Sequence, residues 1–390
     1  MLVAFGTISL LIWIYLLIAH GRFWQIARYL LPAAGTGDVP GRVAVIVPAR
    51  DEAEVIGRAV ASLLNQAGGH AVHIFLVDDA SSDGTAEIAR EAARAAGKPD
   101  QLTTIAGRTL PPGWSGKVWA VEQGVEQALL MSPDFLLLTD ADIAHAPDSI
   151  ASLVQMAQSR SLDLVSVMVK LHCRTFAEKA LIPAFVFFFL KLYLPAWISN
   201  PRRRMAGAAG GSILVRPEAL QRSGGIASIR GEVIDDCALA RRVKAAGGRL
   251  WLGLSANTES IRPYGTFTEI GRMISRGAFN QLKHSGWMLL LALLGLSATY
   301  LLPPLLLLFS RQLVPALLGA AAWLLMICCF LPTVRFYRLN LFWAAALPLI
   351  AIFYMGASMH SALRFWSGRG GQWKGRVQDP AQVISDASHR

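Results

Sequence analysis

Charge is scarce in this sequence, and acid is missing altogether from one long part of it. Only 16% of the 390 residues are charged, against 54% hydrophobic, and the mean hydropathy is +0.42. That excludes an ordinary soluble enzyme. The charge that is present excludes a chain made only of membrane spans, so at least two folding units are expected. Cysteine is sparse too: Cys173, Cys237, Cys328 and Cys329 do not make a disulfide-stapled secreted scaffold, and reduced, cytosol-facing thiols are the default. Between Ile270 and Gln378 there is no Asp or Glu, whereas Arg272, Arg276, Lys283, Arg311, Arg335, Arg338, Arg364, Arg369, Lys374 and Arg376 supply +10 of the net +11. Cations that flank apolar runs meet anionic lipid headgroups. The basic balance therefore speaks for a membrane and against nucleic acid.

Leu2 to Ala19 runs for 18 residues without a charge, about 27 Å as a helix and close to the hydrocarbon thickness. Its nearest cations, Arg22 and Arg28, come after the apolar run, whereas a secretory signal carries them before it. Residues 1–20 are thus expected to be a retained transmembrane anchor, with the next domain in the cytoplasm at the inner membrane. Further apolar stretches at roughly Trp287–Phe309, Leu313–Leu331 and Leu339–Ala357 mark 287–359 as membrane-spanning. Three crossings there would put the basic tail, 360–390, on the outer side against the positive-inside rule, so either one stretch is re-entrant or the tail is an exception. Leu181–Ile198 is apolar but interrupted by Pro183, Lys191 and Pro195. It reads as an interfacial segment, because a crossing there would separate the carboxylates before it from those after it.

From Arg42 to about Gly265 strand and helix patterns alternate. Val43–Val47 and Val72–Val77 read as buried strands, Val55, Ile56, Ala59, Val60, Leu63 and Leu64 recur at helical spacing, and Phe135–Thr139 is another strand. Such alternation predicts an α/β domain with a mostly parallel sheet and ligands beyond the carboxyl ends of the strands. The first strand-to-helix turn, Pro48-Ala49-Arg50-Asp51-Glu52, has no glycine, which argues against a dinucleotide oxidoreductase. No Walker-type loop is present either, which argues against a P-loop phosphotransferase.

Three acidic clusters follow strands or open helices. Asp140 and Asp142 present paired hard oxygens suited to Mg2+ or Mn2+; equally, they are residues that cap the helix after Pro147. Asp78 and Asp79 end a strand where a carboxylate meets a nucleoside, or else form an Asx turn into the helix at Gly84-Thr85. Gly231-Glu232-Val233-Ile234-Asp235-Asp236 opens a helix, where an acid either takes a proton from an acceptor hydroxyl or complements the helix dipole. The histidines give no further centre: His70, His73 and His145 read as surface or core residues, and His172 with Cys173 lacks the spaced partners of a zinc site.

The order and spacing of these clusters, in VAVIVPARDEAEVI, LVDDASSDGTAEIA, GWSGKVWAVEQG, LLLTDADIAHAPDSI, GGSILVRPEAL and GEVIDDCALARRVKAAGG, resembles glycosyltransferase family 2, the inverting nucleotide-sugar enzymes of the GT-A fold. The apolar ends and the stretch ISRGAFNQL look most like the hopene-associated membrane glycosyltransferases and, more distantly, the ceramide glucosyltransferases. The resemblance implies that Pro48, Asp51, Asp79, Lys117, Asp140 and Gly211 bind the donor and that Asp142, helped by Asp140, holds Mg2+ or Mn2+. It implies that Asp236 is the base, with Asp235 standing where the family has Glu, and that Arg276 pairs with the diphosphate. Met273-Ile274-Ser275-Arg276-Gly277 keeps the Arg of the family's Gln-x-x-Arg-Trp motif but neither its Gln nor its Trp, which speaks against processive synthesis. Trp373-Lys374-Gly375-Arg376 is similar to a basic motif of related membrane members.

The expected organisation is then an anchor at 1–20, a cytoplasmic GT-A domain at 40–265 containing the interfacial segment 181–198, and an interfacial amphipathic helix at 266–286. Transmembrane helices follow at 287–359, and a basic tail at 360–390. The expected function is transfer of a sugar from a nucleotide sugar, of UDP type, to a membrane lipid in hopanoid biosynthesis. The alternatives are a polyprenyl-phosphate or ceramide-type acceptor, or a catalytically silent nucleotide-sugar-binding scaffold among lipid-biosynthesis partner proteins.

Overall fold

The apolar residues of the first strand point alternately to two covered faces, and the rest of the α/β unit is built around it. In the computed structural model, which describes residues 1–35, 41–232 and 234–367 and the backbone of 372–373 and 376–377, this strand is β1, Arg42–Ala49. The remaining strands are β2, Ala71–Asp78; β3, Leu102–Ala106; β4, Phe135–Leu138; β5, Ile143–Ala144; β6, Leu164–Lys170; β7, Ile213–Val215; and β8, Leu250–Ser260. They form one sheet in the order β3-β2-β1-β4-β7-β6-β8-β5. Val43, Val45 and Val47 join a core with Ile56, Val60 and Leu63 of the helix Ala53–Leu64 and with Ala89 and Ala93 of the helix Thr85–Ala95. The opposite face meets the helix Gly116–Leu129.

That last contact explains a glycine in mid-helix. A Cβ on Gly124 would lie 2.6 Å from Ile46 Cγ2 and 3.1 Å from Val77 Cγ2, so only glycine lets the helix come this close to β1 and β2.

The sheet is mixed. β1 pairs in parallel with β2 and β4, and β2 with β3. β7 is antiparallel to both β4 and β6, β6 is parallel to β8, and β8 is antiparallel to β5. The antiparallel β7 follows a part of the chain that leaves this unit: Tyr29–His172 and Trp197–Arg262 cluster together, whereas Cys173–Ala196 clusters with Met1–Arg28 and Pro263–Gln372.

The second unit is helical. Among the described residues three helical segments are long and apolar enough to cross a membrane: Phe176–Ile198, Gly286–Phe309 and Leu313–Phe336. Leu2–Ile18 is a shorter apolar helix, and Leu347–Trp366 completes the set. The helix Phe176–Leu192 starts with a reciprocal cap, Thr175 Oγ1 accepting from the Glu178 N–H while the Glu178 carboxylate accepts from the Thr175 N–H. Within this unit Phe187 packs between Phe23 and Phe330, at centroid distances of 5.2 and 5.1 Å. The segment expected in the headgroup plane is thus one with the length and hydropathy of a spanning helix, and 61% of its apolar window is buried by the protein itself. The amphipathic helix expected near Met273 is Phe267–Gln281, which buries Ile270, Ser275 and Phe279 and exposes Arg272 and Arg276.

Pro303 and Pro304 disturb the helix in which they sit, and the first helix of the chain compensates. Ser297–Leu301 winds as a π-turn in which the Leu302 N–H donates to Ser297 O, leaving Ala298 O without its helical donor. Pro303 has no N–H to give Thr299 O. Ser9 Oγ donates to Ala298 O at 2.9 Å, and the buried Trp13 Nε1 donates to Thr299 O at 2.8 Å.

The basic motif Trp373-Lys374-Gly375-Arg376 falls at residues 374–375 outside the described residues, as do 368–371 and 378–390 of the expected tail.

Replacing a helical glycine by alanine normally stabilises by about 1 kcal/mol. At Gly124 the sign is expected to reverse: Gly124→Ala should destabilise by roughly 1–3 kcal/mol through overpacking against Ile46, seen as a lower thermal midpoint of the full chain.

Candidate functional site

The helix Gly116–Leu129 begins beside the carboxyl ends of β1 and β4, and its second residue is a lysine. Lys117 Nζ lies 2.8 Å from Asp140 Oδ1 and 3.4 Å from Asp235 Oδ2. Asp140 comes just after β4, and Asp235 and Asp236 open the helix Asp235–Ala245. One cleft therefore has Lys117, Asp140, Asp235 and Asp236 on its polar side, with Pro48 at its edge and Val118, Val121, Ile213 and Leu239 among its apolar walls. Burial disfavours a charge on Lys117, but Asp140, Asp235 and Asp236 outweigh it and hold the ammonium above its ordinary range.

Asp236 has the opposite problem. Burial, then the neighbouring Asp235 carboxylate, push it up to about 7, against the pull of Lys117 and of the Cys237 N–H that donates to Asp236 Oδ1 at 2.7 Å. A carboxylate that titrates near neutrality in a cleft is poised to exchange a proton with a bound hydroxyl.

Two glycines stand side by side here with different tasks. A Cβ on Gly210 would lie 3.5 Å from Asp236 Oδ2, 3.6 Å from Lys117 Nζ and 3.8 Å from Asp140 Oδ2, so its bare backbone faces the charged cluster. Gly211 packs instead against Val169, 3.0 Å from where its Cβ would be, and its carbonyl accepts from the Thr139 hydroxyl at 2.8 Å.

Asp142 sits between β4 and β5, where the Ile261 N–H donates to its carbonyl at 2.8 Å. Its Oδ2 accepts from Ser260 Oγ at 3.2 Å and lies 3.5 Å from Arg262 Nε, and the Arg262 guanidinium also pairs with Glu52. Burial and then Asp140 push Asp142 up to about 6. Two hard-oxygen acids that repel each other in a poorly solvated place suit a divalent cation. Among the described residues no group of three His, Cys, Asp or Glu is assembled for one, so the donor set fits an ion that takes its other ligands from water and phosphate, as Mg2+ and Mn2+ do.

The loop after β1 is strained and well held. Asp51 has φ +50°, a left-handed conformation uncommon outside glycine. Its Oδ1 accepts from the Ser82 N–H at 2.9 Å, and its own N–H donates to Ser81 Oγ at 3.0 Å. The buried Asp79 is approached by Arg50 Nη1, at 2.7 Å from its carbonyl and 3.4 Å from Oδ2. Asp78 accepts from the Ser81 N–H, a turn contact, and Asp83 accepts from the Ala53 N–H at the start of the following helix. Of this acidic run, two members therefore shape the loop.

The chain thus brings Lys117, Asp140, Asp235 and Asp236 together, with Pro48 at the rim and Asp142 near enough to Asp140 to feel its charge. Asp51 and Asp79 lie in the loops after β1 and β2. Arg276 is exposed on the helix Phe267–Gln281 of the helical unit. His145 is a core residue, pushed down to about 4 by burial, with Nε2 3.0 Å from Thr139 Oγ1. Sequence reasoning passed over Ser260 and Arg262, and took Gly210 only as part of the motif GGSILVRPEAL. The β5–β8 pairing of Ile143 with Ser260 puts the first two beside Asp142, and no local spacing announces a partner 118 residues away.

Residues 40–280 match the model of the glycosyltransferase-like family 2, more than half of the chain. The chain belongs to that family. It is a transferase of GT-A fold. This family member is similar to the solved mannosyltransferase PcManGT from Pyrobaculum calidifontis, in complex with GDP-Man and Mn2+, at 18% identity and TM-score 0.57, covering 93% of this chain and 99% of that one. S. aureus TarS 1–349 with UDP-GlcNAc is 15% identical, at TM-score 0.40, over 87% of this chain and 95% of that one. M. tuberculosis glucosyl-3-phosphoglycerate synthase is 16% identical, at TM-score 0.37, over 60% and 76%.

Two outcomes are expected from this transferase. A Cβ at position 210 meets only ordinary contacts, so Gly210→Ala should shift stability by less than about 0.5 kcal/mol while weakening donor binding, as a nucleotide-sugar titration would read. Asp236, raised above its ordinary value, makes the folded state bind a proton that the unfolded state has released, so stability falls as pH rises toward about 7. Asp236→Asn removes that loss: its melting midpoint should exceed wild type by about 2–4 °C above pH 7, the effect of about 1 kcal/mol in a chain of this size, and match it at acid pH.

Proposed function

We propose that this glycosyltransferase moves a sugar, with inversion, from a nucleotide sugar of UDP type to a hydroxyl of a membrane lipid. The observation that carries the reading is Asp236 pushed up to about 7 in a cleft shared with Lys117 and Asp140.

In the proposed displacement the acceptor oxygen bonds to the anomeric carbon as the bond from that carbon to the diphosphate breaks. The hydroxyl proton passes to Asp236, and the negative charge leaves with the nucleoside diphosphate. Lys117 is the cation of the cleft, and its permanent charge favours a diphosphate there. Asp235 raises the basicity of Asp236 by repulsion. Asp142 with Asp140 would hold Mg2+ or Mn2+, which would neutralise charge on the departing diphosphate. Asp51 and Asp79, with Pro48, are assigned to the nucleoside, and Gly211 to the donor through its place beside Gly210. Arg276 is assigned to the diphosphate on motif resemblance.

A lipid acceptor is favoured by the three helical segments apolar enough to span a bilayer and by the excess of basic residues after Ile270, which also favours an inner-membrane protein whose α/β unit faces the cytoplasm. Within that class a hopanoid is the acceptor that the motifs favour, and lipid-biosynthesis enzymes are the expected partners.

The purified full chain should transfer sugar to extracted membrane lipid from one of a panel of UDP- and GDP-sugars. Asp236→Asn should lower that rate by about 100-fold or more, and wild-type kcat/KM should rise with pH through an apparent pKa of about 7. Full transfer by Asp236→Asn would remove the assignment. Mass spectrometry of membrane lipids from cells carrying wild type or Asp236→Asn names the donor sugar and the acceptor together.

A further inference from the structure

Asp142 faces a cation that belongs to the protein. The antiparallel pairing of β5 with β8 sets Ile143 opposite Ser260, and the bond from the Ile261 N–H to Asp142 O holds the two backbones side by side. Arg262, the next residue along, therefore emerges beside Asp142. Its Nε lies 3.5 Å from Asp142 Oδ2, and its Nη2 donates to Glu52 Oε2 at the start of the helix Ala53–Leu64. The side chains of Glu52, Asp142 and Arg262 are 11%, 17% and 30% exposed. One guanidinium thus joins carboxylates from two strand ends that lie 90 positions apart in sequence.

A guanidinium does not lose its proton in a protein, so it can make room for another cation only by moving. Its two partners sit on different nitrogens. The fork can therefore keep Glu52 on Nη2 while Nε swings away from Asp142, a motion of side-chain torsions that leaves the strand in place. Without the guanidinium, Asp142 and Glu52 would stand as two carboxylates where water is scarce, Asp140 nearby being paired with Lys117, which is costly for the folded state.

We propose that Arg262 is a resident counter-ion for Asp142, exchanged for the divalent cation when that ion binds, with Glu52 as the arm on which the guanidinium stays. The proposal rests on the reading of Asp142 as a metal-holding residue. It makes Arg262 a positioning residue that keeps the site folded without metal and sets how tightly metal is taken up. Removing Arg262 should strengthen metal binding and weaken the metal-free protein. Removing the charge of Glu52 should weaken metal binding, because the guanidinium then has only Asp142 to hold.

The test is a Mn2+ titration of the full chain in detergent, with free Mn2+ read by electron paramagnetic resonance, for wild type, Arg262→Gln, Glu52→Gln and Asp142→Asn. Arg262→Gln is expected to tighten Mn2+ binding about fivefold and Glu52→Gln to weaken it by a similar factor, the lower end of usual coupling between sites. The thermal midpoint of Arg262→Gln should fall without metal and recover at saturating Mn2+. Binding that Asp142→Asn abolishes, while Arg262→Gln and Glu52→Gln leave it unchanged or shift it the same way, would overturn the exchange and keep the metal reading. Failure of both wild type and Arg262→Gln to bind Mn2+ would overturn both. Binding by Arg262→Gln alone would support the exchange in its strongest form.

Discussion

The site depends on one buried ammonium among like charges. Asp140 and the adjacent pair Asp235 and Asp236 arrive from two distant parts of the chain, and carboxylates in a partly desolvated cleft repel one another strongly enough to force protonation or separation. Lys117 lies 2.8 Å from Asp140 and 3.4 Å from Asp235 and sets a positive charge among them. Asp236 is pushed up to about 7 by burial and by the neighbouring Asp235 carboxylate, against the pull of Lys117. The raised basicity of Asp236 is in this sense a by-product of how charge is shared around one side chain.

The sheet makes this sharing possible. Parallel strands β3, β2, β1 and β4 end on the same side, so the loops after β1, β2 and β4 meet there. The antiparallel β7 then brings the backbone at Gly210 back to that edge, and the absence of a side chain leaves open the space beside Asp236, Lys117 and Asp140. On the other side of Asp140 the short β5 hands Asp142 to the end of β8. Two charge systems thus border one another: an ammonium beside Asp140 and Asp235 and a guanidinium beside Asp142 and Glu52.

Much of the α/β unit was legible because its signals are local. Strand-length apolar runs, ending at Pro48 in the first case and at acids or Thr139 in the others, placed β1, β2 and β4 to within a residue or two, and the 3.6-residue recurrence from Val55 to Leu64 marked the helix Ala53–Leu64. Asp140, Asp235 and Asp236, singled out by residue type and order, and Lys117, singled out by resemblance, come together in one cleft. What could not be read was long-range and directional. The antiparallel β7 was invisible because a three-residue apolar strand has no direction in sequence. Gly210 and Gly211 are adjacent and identical, and only the packing of Val169 against the second separates them. Arg262 is an unremarkable cation until β8 carries it to Asp142. The run from Phe176 to Ile198 carries prolines and a lysine that suggest a break, yet Pro183 and Lys191 sit inside the continuous helix Phe176–Leu192, and the chain breaks only ahead of Pro195.

The bonds from Ser9 and Trp13 to the carbonyls left open by the π-turn and Pro303 join residues 289 and 286 positions apart. The α/β unit is encoded almost entirely between them. At ordinary rates of synthesis, about 5–20 residues per second, the first helix leaves the ribosome roughly 15–60 seconds before its partner exists. During that wait its indole N–H and serine hydroxyl have no such acceptors, and the catalytic unit has time to fold first. These two bonds can therefore form only after the whole of Tyr29–Arg262 has been synthesised.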